Sequence, residues 1–122
     1  SDSAREGLQV FLEECANAFT SHPEGVRGCM ILNGDLVYAP TKQNRAHNMT
    51  ARRCLAEDAI RTRLERAQQE KQLPEHTDTR ALAAYFSVVV QGLSVRSHDQ
   101  AGLENLQAVI RVAMQAWPVA GR

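Results

Sequence analysis

The sequence lacks the charge excess that a nucleic-acid-binding domain usually has. Its 122 residues include 14 basic and 14 acidic side chains, so the formal net charge is zero. Neutralisation of phosphates supplies most of the non-specific affinity for nucleic acid, and a domain that binds DNA by itself therefore normally carries a basic excess. This stretch of chain alone is a poor candidate for DNA contact.

Long apolar runs are also missing. No segment approaches the run of about 18 apolar residues that a membrane-spanning helix needs, and residues 1–14 mix charged and apolar side chains throughout. We therefore expect neither a membrane span nor a secretory signal. The cysteines Cys15, Cys29 and Cys54 are an odd number at wide spacing, which favours buried thiols in a reducing compartment. A cytoplasmic chain is expected.

Motifs for catalysis and for metal binding are absent as well. The chain contains no Gly-rich phosphate loop, no G-x-S-x-G and no H-E-x-x-H. Cys15, His22 and Cys29 are evenly spaced, but structural zinc needs close pairs such as C-x2-C. Adjacent carboxylates such as Glu13 and Glu14 diverge by about 100° on a helix and do not share a site. We expect no enzyme activity, no metal and no cofactor.

Helical periodicity dominates the first two-thirds of the chain. Ser3 and Glu6 have the S-x-x-E spacing of a capping box, so a helix should begin there and end before Pro23. Residues 43–72 contain no Pro or Gly and predict the longest helix. The predicted buried stripe of that helix consists of Met49, Ala56, Ile60, Leu64 and Ala67.

Two apolar helices are predicted at the C-terminal end. Thr77 or Asp78 can cap a helix that runs to about Ser97, and a last helix should cover residues 103–117. The first of these has two apolar stripes, one of Leu82, Tyr85, Phe86, Val89 and Leu93, and one of Ala81, Ala84, Val88, Gly92 and Val95. Together the two helices hold more apolar surface than one small bundle needs, which predicts self-association through them.

The segment 28–38 is ambiguous. Its apolar runs flank Asn33-Gly34 in the manner of a tight β-hairpin, but a lone hairpin is marginal and no other segment shows strand alternation. We prefer a short buried helix that ends at Gly34. The expected fold is then all-α, a bundle of about five helices in one domain covering residues 1–122.

Large apolar and aromatic side chains are spread over helices whose opposing stripes are rich in alanine. A cavity for a hydrophobic small molecule is therefore feasible, although each of these side chains could equally fill the core. The residues concerned are Phe11, Phe19, Met30, Tyr38, Tyr85 and Phe86.

Specific segments in the second half resemble the C-terminal half of TetR-family transcriptional regulators. The resemblance is carried by L-A-A-Y-F at 82–86, V-Q-G-L-S-V at 90–95, Asp99, L-Q-A-V at 106–109 and the stretch from Ala113 to W-P at 117–118. The segment R-G-C-M-I-L-N at 27–33 is similar to a short R-G-C-x-x-x-N helix of many members. Gly102 departs from this pattern, because it occupies a position where a capping Ser or Thr is expected.

The resemblance implies an effector-binding and dimerisation domain. It places a small hydrophobic effector between the first, the long and the Tyr85-Phe86 helices, at Phe11, Cys15, Phe19, Met30, Ile60, Leu64, Tyr85, Phe86 and Val89. It makes the last two helices a four-helix homodimer interface, with Gly92 as a close-approach position among Val88, Gly92, Val95, Leu106, Val109, Ile110, Ala113 and Trp117.

The family's DNA-binding helix-turn-helix precedes this region and is expected outside these 122 residues, so the whole protein would be a repressor or an activator. The alternative is a free-standing helical adaptor whose apolar last helices bind a different protein.

Overall fold

Four α-helices make up the described part of the chain. The structure, a computed structural model, describes residues 3–21 and 42–119, with side chains from residue 54 onward in the second range. The helices are α1 (Ala4–Ser21), α2 (Lys42–Gln69), α3 (Thr79–His98) and α4 (Leu103–Met114). No strand occurs in these ranges, which confirms the all-α expectation for them. The short helix or hairpin predicted at 28–38, with Met30 and Tyr38, lies outside the described residues.

Local capping explains where the helices begin. At α1, the Ser3 hydroxyl accepts a hydrogen bond from the Glu6 amide at 3.2 Å, as the capping-box spacing predicts. At α3, the Asp78 carboxylate accepts from the Ala81 amide at 3.0 Å and is the N-cap. Helix α4 begins after Gly102, which offers no side-chain cap, and it ends at Met114, three residues before the predicted Trp117.

The turn between α2 and α3 is held by one amide side chain. Lys71 adopts a left-handed φ of 68°, and the Gln72 amide donates to the Ala67 carbonyl at 2.8 Å to close the end of α2. The Gln68 side-chain nitrogen donates to the carbonyls of Pro74, Glu75 and Thr77. This turn therefore has a defined shape, and it delivers the chain to the Asp78 cap.

Helices α1 and α3 are central in the arrangement. Each of them contacts the other three described helices, whereas α2 and α4 do not meet. The core where they converge contains Leu8, Leu12, Ala16, Phe19, Leu64, Ala67, Leu73, Ala83, Phe86, Val90, Leu93, Leu106, Ile110, Ala113, Met114 and Trp117. Two hydrogen bonds join the ends of helices. The Ser97 hydroxyl near the end of α3 donates to the Phe19 carbonyl near the end of α1, and the Ala4 amide at the start of α1 donates to the side-chain oxygen of Gln72 in the turn after α2.

The buried side of α3 differs from the prediction. It consists of Ala83, Phe86, Ser87, Val90, Leu93 and Ser94, so it includes two serines that the two predicted apolar stripes do not contain. Tyr85 is correspondingly rotated outward and is 40% exposed, although the prediction placed it on the inner stripe. Its ring remains in edge-to-face contact with Phe86, at a centroid distance of 5.1 Å. The predicted buried stripe of α2 is confirmed at Leu64 and Ala67, but Ala56 is exposed.

Among the described residues, no helix is both long enough and apolar enough to cross a membrane.

Candidate functional site

A groove with a volume of about 420 Å³ lies between α1 and α2. This volume is within the usual range of small-molecule sites. The groove is mostly apolar, and each of the two helices contributes both small and large apolar side chains. Its lining residues are Ser3, Ala4, Gly7, Leu8 and Phe11 from α1 and its cap, and Ala56, Ala59, Ile60, Arg63 and Leu64 from α2.

Arg63 is the charged member of this lining. Its Nη1 atom lies 3.9 Å from Oε1 of Glu70, and this atom is shielded from solvent without a hydrogen-bond partner in the described part of the chain. Glu70 is already engaged by Arg66, whose Nε donates to Oε2 at 2.9 Å, and by Gln72, whose Nε2 donates to Oε1 at 3.2 Å. The positive charge of the Arg63 guanidinium group is thus only partly neutralised by Glu70.

Three of the predicted effector residues line this groove, namely Phe11, Ile60 and Leu64. Phe19 and Phe86 are instead buried in the core, because they fill the space where α1 and α3 meet the other helices. Cys15 and Val89 are half-buried and pack against the same core. Tyr85 lies away from the groove, on the outward side of α3, and Met30 is outside the described residues.

Sequence reasoning missed the small residues of the groove and its arginine. Gly7 and Ala59 carry no distinctive signal, since small residues are also common on solvent-exposed helix faces, whereas Ala56 belonged to the predicted stripe of α2. Arg63 stands within a charged stretch, where a side chain is normally expected to face solvent. A usable signal was available, because Arg63 is followed by Leu64, lies three residues after Ile60 and therefore borders the predicted apolar stripe.

A second feature is an apolar face on α3 and α4, which we call the α3–α4 face and define as Tyr85, Val88, Gly92, Val95 and Val112. Val88 and Val112 are 64% and 66% exposed, and Val95 is 48% exposed. The α3 members recur at alternating three- and four-residue steps, which is the spacing of a helix-pairing seam.

The two helices contribute to one side of the molecule. Tyr85 and Ala116 line the same shallow groove of about 370 Å³, and Ala116 is one turn beyond Val112. Helices α3 and α4 also contact each other, and each of them carries exposed valines.

Of the predicted interface residues, Val88, Gly92 and Val95 lie on this face, and Val109 is half-buried. Leu106, Ile110, Ala113 and Trp117 are at most 6% exposed in the single chain, and their assignment to the interface stays a prediction. All four belong to the buried core, so they have little surface left for a partner unless α4 repacks. Conversely, Val112 was not predicted, although it is highly exposed.

The cysteines that the structure describes do not form a reactive site. Burial, with a smaller contribution from the carboxylate of Glu14, raises the pKa of the Cys15 thiol to about 11. Such a thiol is protonated at neutral pH and is a poor nucleophile. Cys54 is exposed. Among the side chains of residues 3–21 and 54–119, no three His, Cys, Asp or Glu are close enough to hold a metal ion.

Comparisons with known proteins agree on one kind of relative. No protein-family model matches the chain. The chain is 26% identical over 116 residues to the HTH-type transcriptional repressor ComR of Escherichia coli K12, covering 95% of this chain and 55% of ComR.

Among solved structures, it matches two cysteine-substituted forms of the TetR family transcriptional regulator CifR with operator DNA. The identities are 32% and 33%, and both matches have a TM-score of 0.85 and cover 97% of this chain and 61% of CifR. The chain therefore spans a little over half the length of these relatives. These relatives are described as transcriptional regulators.

Proposed function

We propose that this chain, which is homologous along nearly its whole length to TetR-family transcriptional regulators, is the C-terminal effector-sensing and dimerisation domain of such a regulator. The regulator acts as a repressor that a small, largely apolar effector releases from DNA. It works in the cytoplasm, where its operator is located. The observation that carries the proposal is the exposed α3–α4 face.

Exposure of the apolar α3–α4 face to water is unfavourable in free energy. Val88, Val95 and Val112 are each about half exposed or more. Burying such a side chain against a partner is worth roughly 1–2 kcal/mol, and a two-fold interface counts every contribution twice. The seam-like spacing on α3 suits a second helix of the same kind. A second copy of the chain, whose own α3–α4 face has the same spacing, is the occupant that fits both helices at once.

The α1–α2 groove gives the domain a site for the effector. It is lined by helices that also contact α3, since α1 and α2 both pack against it. A ligand that binds one packing of α1 and α2 more tightly shifts the population towards that packing and can reposition α3 in the dimer. The size of this shift is set by the difference between the effector's affinities for the two packings.

Contacts with DNA are assigned to the part of the regulator beyond these 122 residues. The charge count of 14 basic and 14 acidic side chains gives the chain no net attraction to phosphate. A solved CifR relative carries a 26-bp operator, and the present chain corresponds to 61% of that protein. The dimer would set the spacing of the two DNA-binding parts, and the effector would change that spacing.

The oligomeric state of the purified chain tests the proposal. Light scattering at tens of micromolar should give the mass of a dimer. Val95→Glu places a charge in the apolar face and should weaken the dimer by at least about a hundredfold, because a buried unpaired carboxylate is strongly unfavourable.

The matched control is Val10→Glu on α1, because Val10 is 50% exposed and Val95 is 48% exposed. The control should remain dimeric. A wild-type chain that is monomeric at this concentration contradicts the proposal, and it would favour an adaptor whose apolar face binds a different protein. Equal weakening by both substitutions would place the interface elsewhere.

A further inference from the structure

We infer that the effector is an amphipathic anion, which places its apolar body in the α1–α2 groove and its negatively charged head at Arg63. The inference rests on the proposed sensing function and names the chemical class of its effector. Two observations carry it: the charge of the groove lining and the incomplete pairing of Arg63.

The groove lining has one sign of charge. Of its ten lining residues, Arg63 is the charged one, Ser3 is the other polar one, and the remaining eight are apolar or glycine. A carboxylate entering this lining meets attraction from Arg63 and no like charge from the other lining residues, and the negative charge of Glu70 beside Arg63 is paired with Arg66. A neutral apolar ligand would instead leave the guanidinium group beside hydrocarbon, which is unfavourable for a group that prefers charged acceptors.

Arg63 also has hydrogen-bonding capacity to spare. The distance of 3.9 Å between its Nη1 and Oε1 of Glu70 is too long for a hydrogen bond, and this nitrogen has no other partner among the described residues. The Glu70 carboxylate is held by Arg66 at 2.9 Å and by Gln72 at 3.2 Å. An incoming carboxylate can therefore accept from Arg63 without displacing a hydrogen bond that Arg63 already makes.

The composition of the groove lining suits an amphipathic molecule. Leu8, Phe11 and Ile60 provide the large apolar contacts, while Ser3 and Ala4 belong to the N-terminal end of α1. The helix dipole at that end adds a further favourable field for negative charge. The volume of about 420 Å³ accommodates a medium-length acyl chain or an aromatic ring that bears one carboxylate.

Octanoate and 1-octanol test the inference because they share an apolar chain and differ in head-group charge. Each would be titrated into the isotope-labelled chain while amide NMR shifts are followed at constant pH and low salt. Octanoate should bind at least about tenfold more tightly than octanol, since a charge-assisted hydrogen bond is stronger than a neutral one. The shifts should be concentrated in residues 3–11 and 56–64.

Two arginine substitutions separate the charge at the groove from general charge effects. Arg63→Gln should weaken octanoate about tenfold and leave octanol unchanged, whereas Arg63→Lys should restore part of the loss. Arg80→Gln removes the same charge from an exposed position on α3 and should leave both affinities unchanged. The helical circular dichroism of each variant confirms that it is folded.

Equal affinity for octanoate and octanol overturns the inference, as does an absence of binding or an equal effect of Arg63→Gln and Arg80→Gln. These failures are distinguishable from failure of the proposed function, because light scattering on the same samples reports the dimer independently of the groove. A dimeric chain that binds neither probe rejects the anionic effector alone. A monomeric chain that binds octanoate through Arg63 rejects the dimeric sensor and keeps the anion site.

Discussion

Gly92 gives a quantitative prediction, because a glycine lowers the stability of a helix and no contact within the single chain requires one at this position. It lies in the interior of the 20-residue helix α3, where glycine is about 1 kcal/mol less favourable than alanine. A Cβ built at this position meets no atom within 4 Å, so nothing within the described part of the chain requires a glycine there. In the proposed dimer, Gly92 is a close-approach position of the α3–α4 face.

The perturbation is Gly92→Ala, and its two effects have opposite signs. The isolated chain should gain up to about 1 kcal/mol of unfolding free energy, a rise in Tm of about 4 °C for a domain of this size. The dimer should weaken, because an added methyl group in a close helix contact costs about 1–3 kcal/mol and enters the interface twice. The dissociation constant should therefore rise by about one order of magnitude or more, and Gly92→Leu should raise it further.

Both effects can be measured on the same samples. Urea unfolding in a Val95→Glu background, where the chain is monomeric, reports the first effect, and sedimentation equilibrium of Gly92→Ala alone reports the second. Gly7→Ala is the control, because Gly7 is also helical and its Cβ also meets nothing within 4 Å. It should stabilise the chain without changing dimer affinity. A Gly92→Ala dimer as tight as the wild type, with Gly92→Leu equally tight, would refute a close helix contact at this position.

Three further predictions concern the core, the helix cap and the thiols. Leu106→Ala should lower the unfolding free energy by about 2–5 kcal/mol in the monomeric background, because Leu106 is fully buried. Val112→Ala should change it by less than about 0.5 kcal/mol there, and urea unfolding compares the two. Asp78→Ala removes the acceptor of the Ala81 amide and should cost about 1 kcal/mol, measured in the same way. Iodoacetamide at pH 8, followed by peptide mapping, should alkylate exposed Cys54 well before Cys15, whose pKa is raised to about 11. Because the folded state keeps Cys15 protonated above its ordinary pKa, the stability that this thiol contributes is present below pH 9 and is lost as the pH rises towards 11. Alkylation of Cys15 as fast as that of Cys54 would contradict its burial.

Helix existence was predictable from the sequence because it depends on local patterns. The capping residues Ser3 and Asp78, and the absence of Pro and Gly from 43–72, act within one or two turns of the chain, and α1, α2 and α3 follow them closely. The rotation of a helix about its axis was less predictable, because it depends on which neighbour occupies each side. Ser87 and Ser94 are buried where α3 packs, and their inclusion on the inner side turns Tyr85 outward.

The sequence also did not predict which apolar side chains of α4 are buried within the single chain and which remain exposed. Its apolar strip predicted contact with another helix, and that helix is within the same chain for Leu106 and Ile110. Hydropathy cannot distinguish a partner helix of the same chain from one of a second copy, since both bury the same kind of side chain. For the groove, Phe11 and Ile60 were predictable as large apolar groups. The position of Arg63 beside the predicted stripe was predictable, but its incomplete pairing was not, because that depends on Glu70 being held by Arg66 and Gln72.

The central claim is that a second copy of the chain covers the α3–α4 face. It is tested most directly by isotope-filtered NMR on a mixture of labelled and unlabelled chain, which detects contacts between protomers alone. The account predicts intermolecular contacts at the methyl groups of Val88, Val95 and Val112 and none at Val10 or Leu55, which are similarly exposed on α1 and α2. Intermolecular contacts confined to Val10 and Leu55, or none at any of the five, would contradict it.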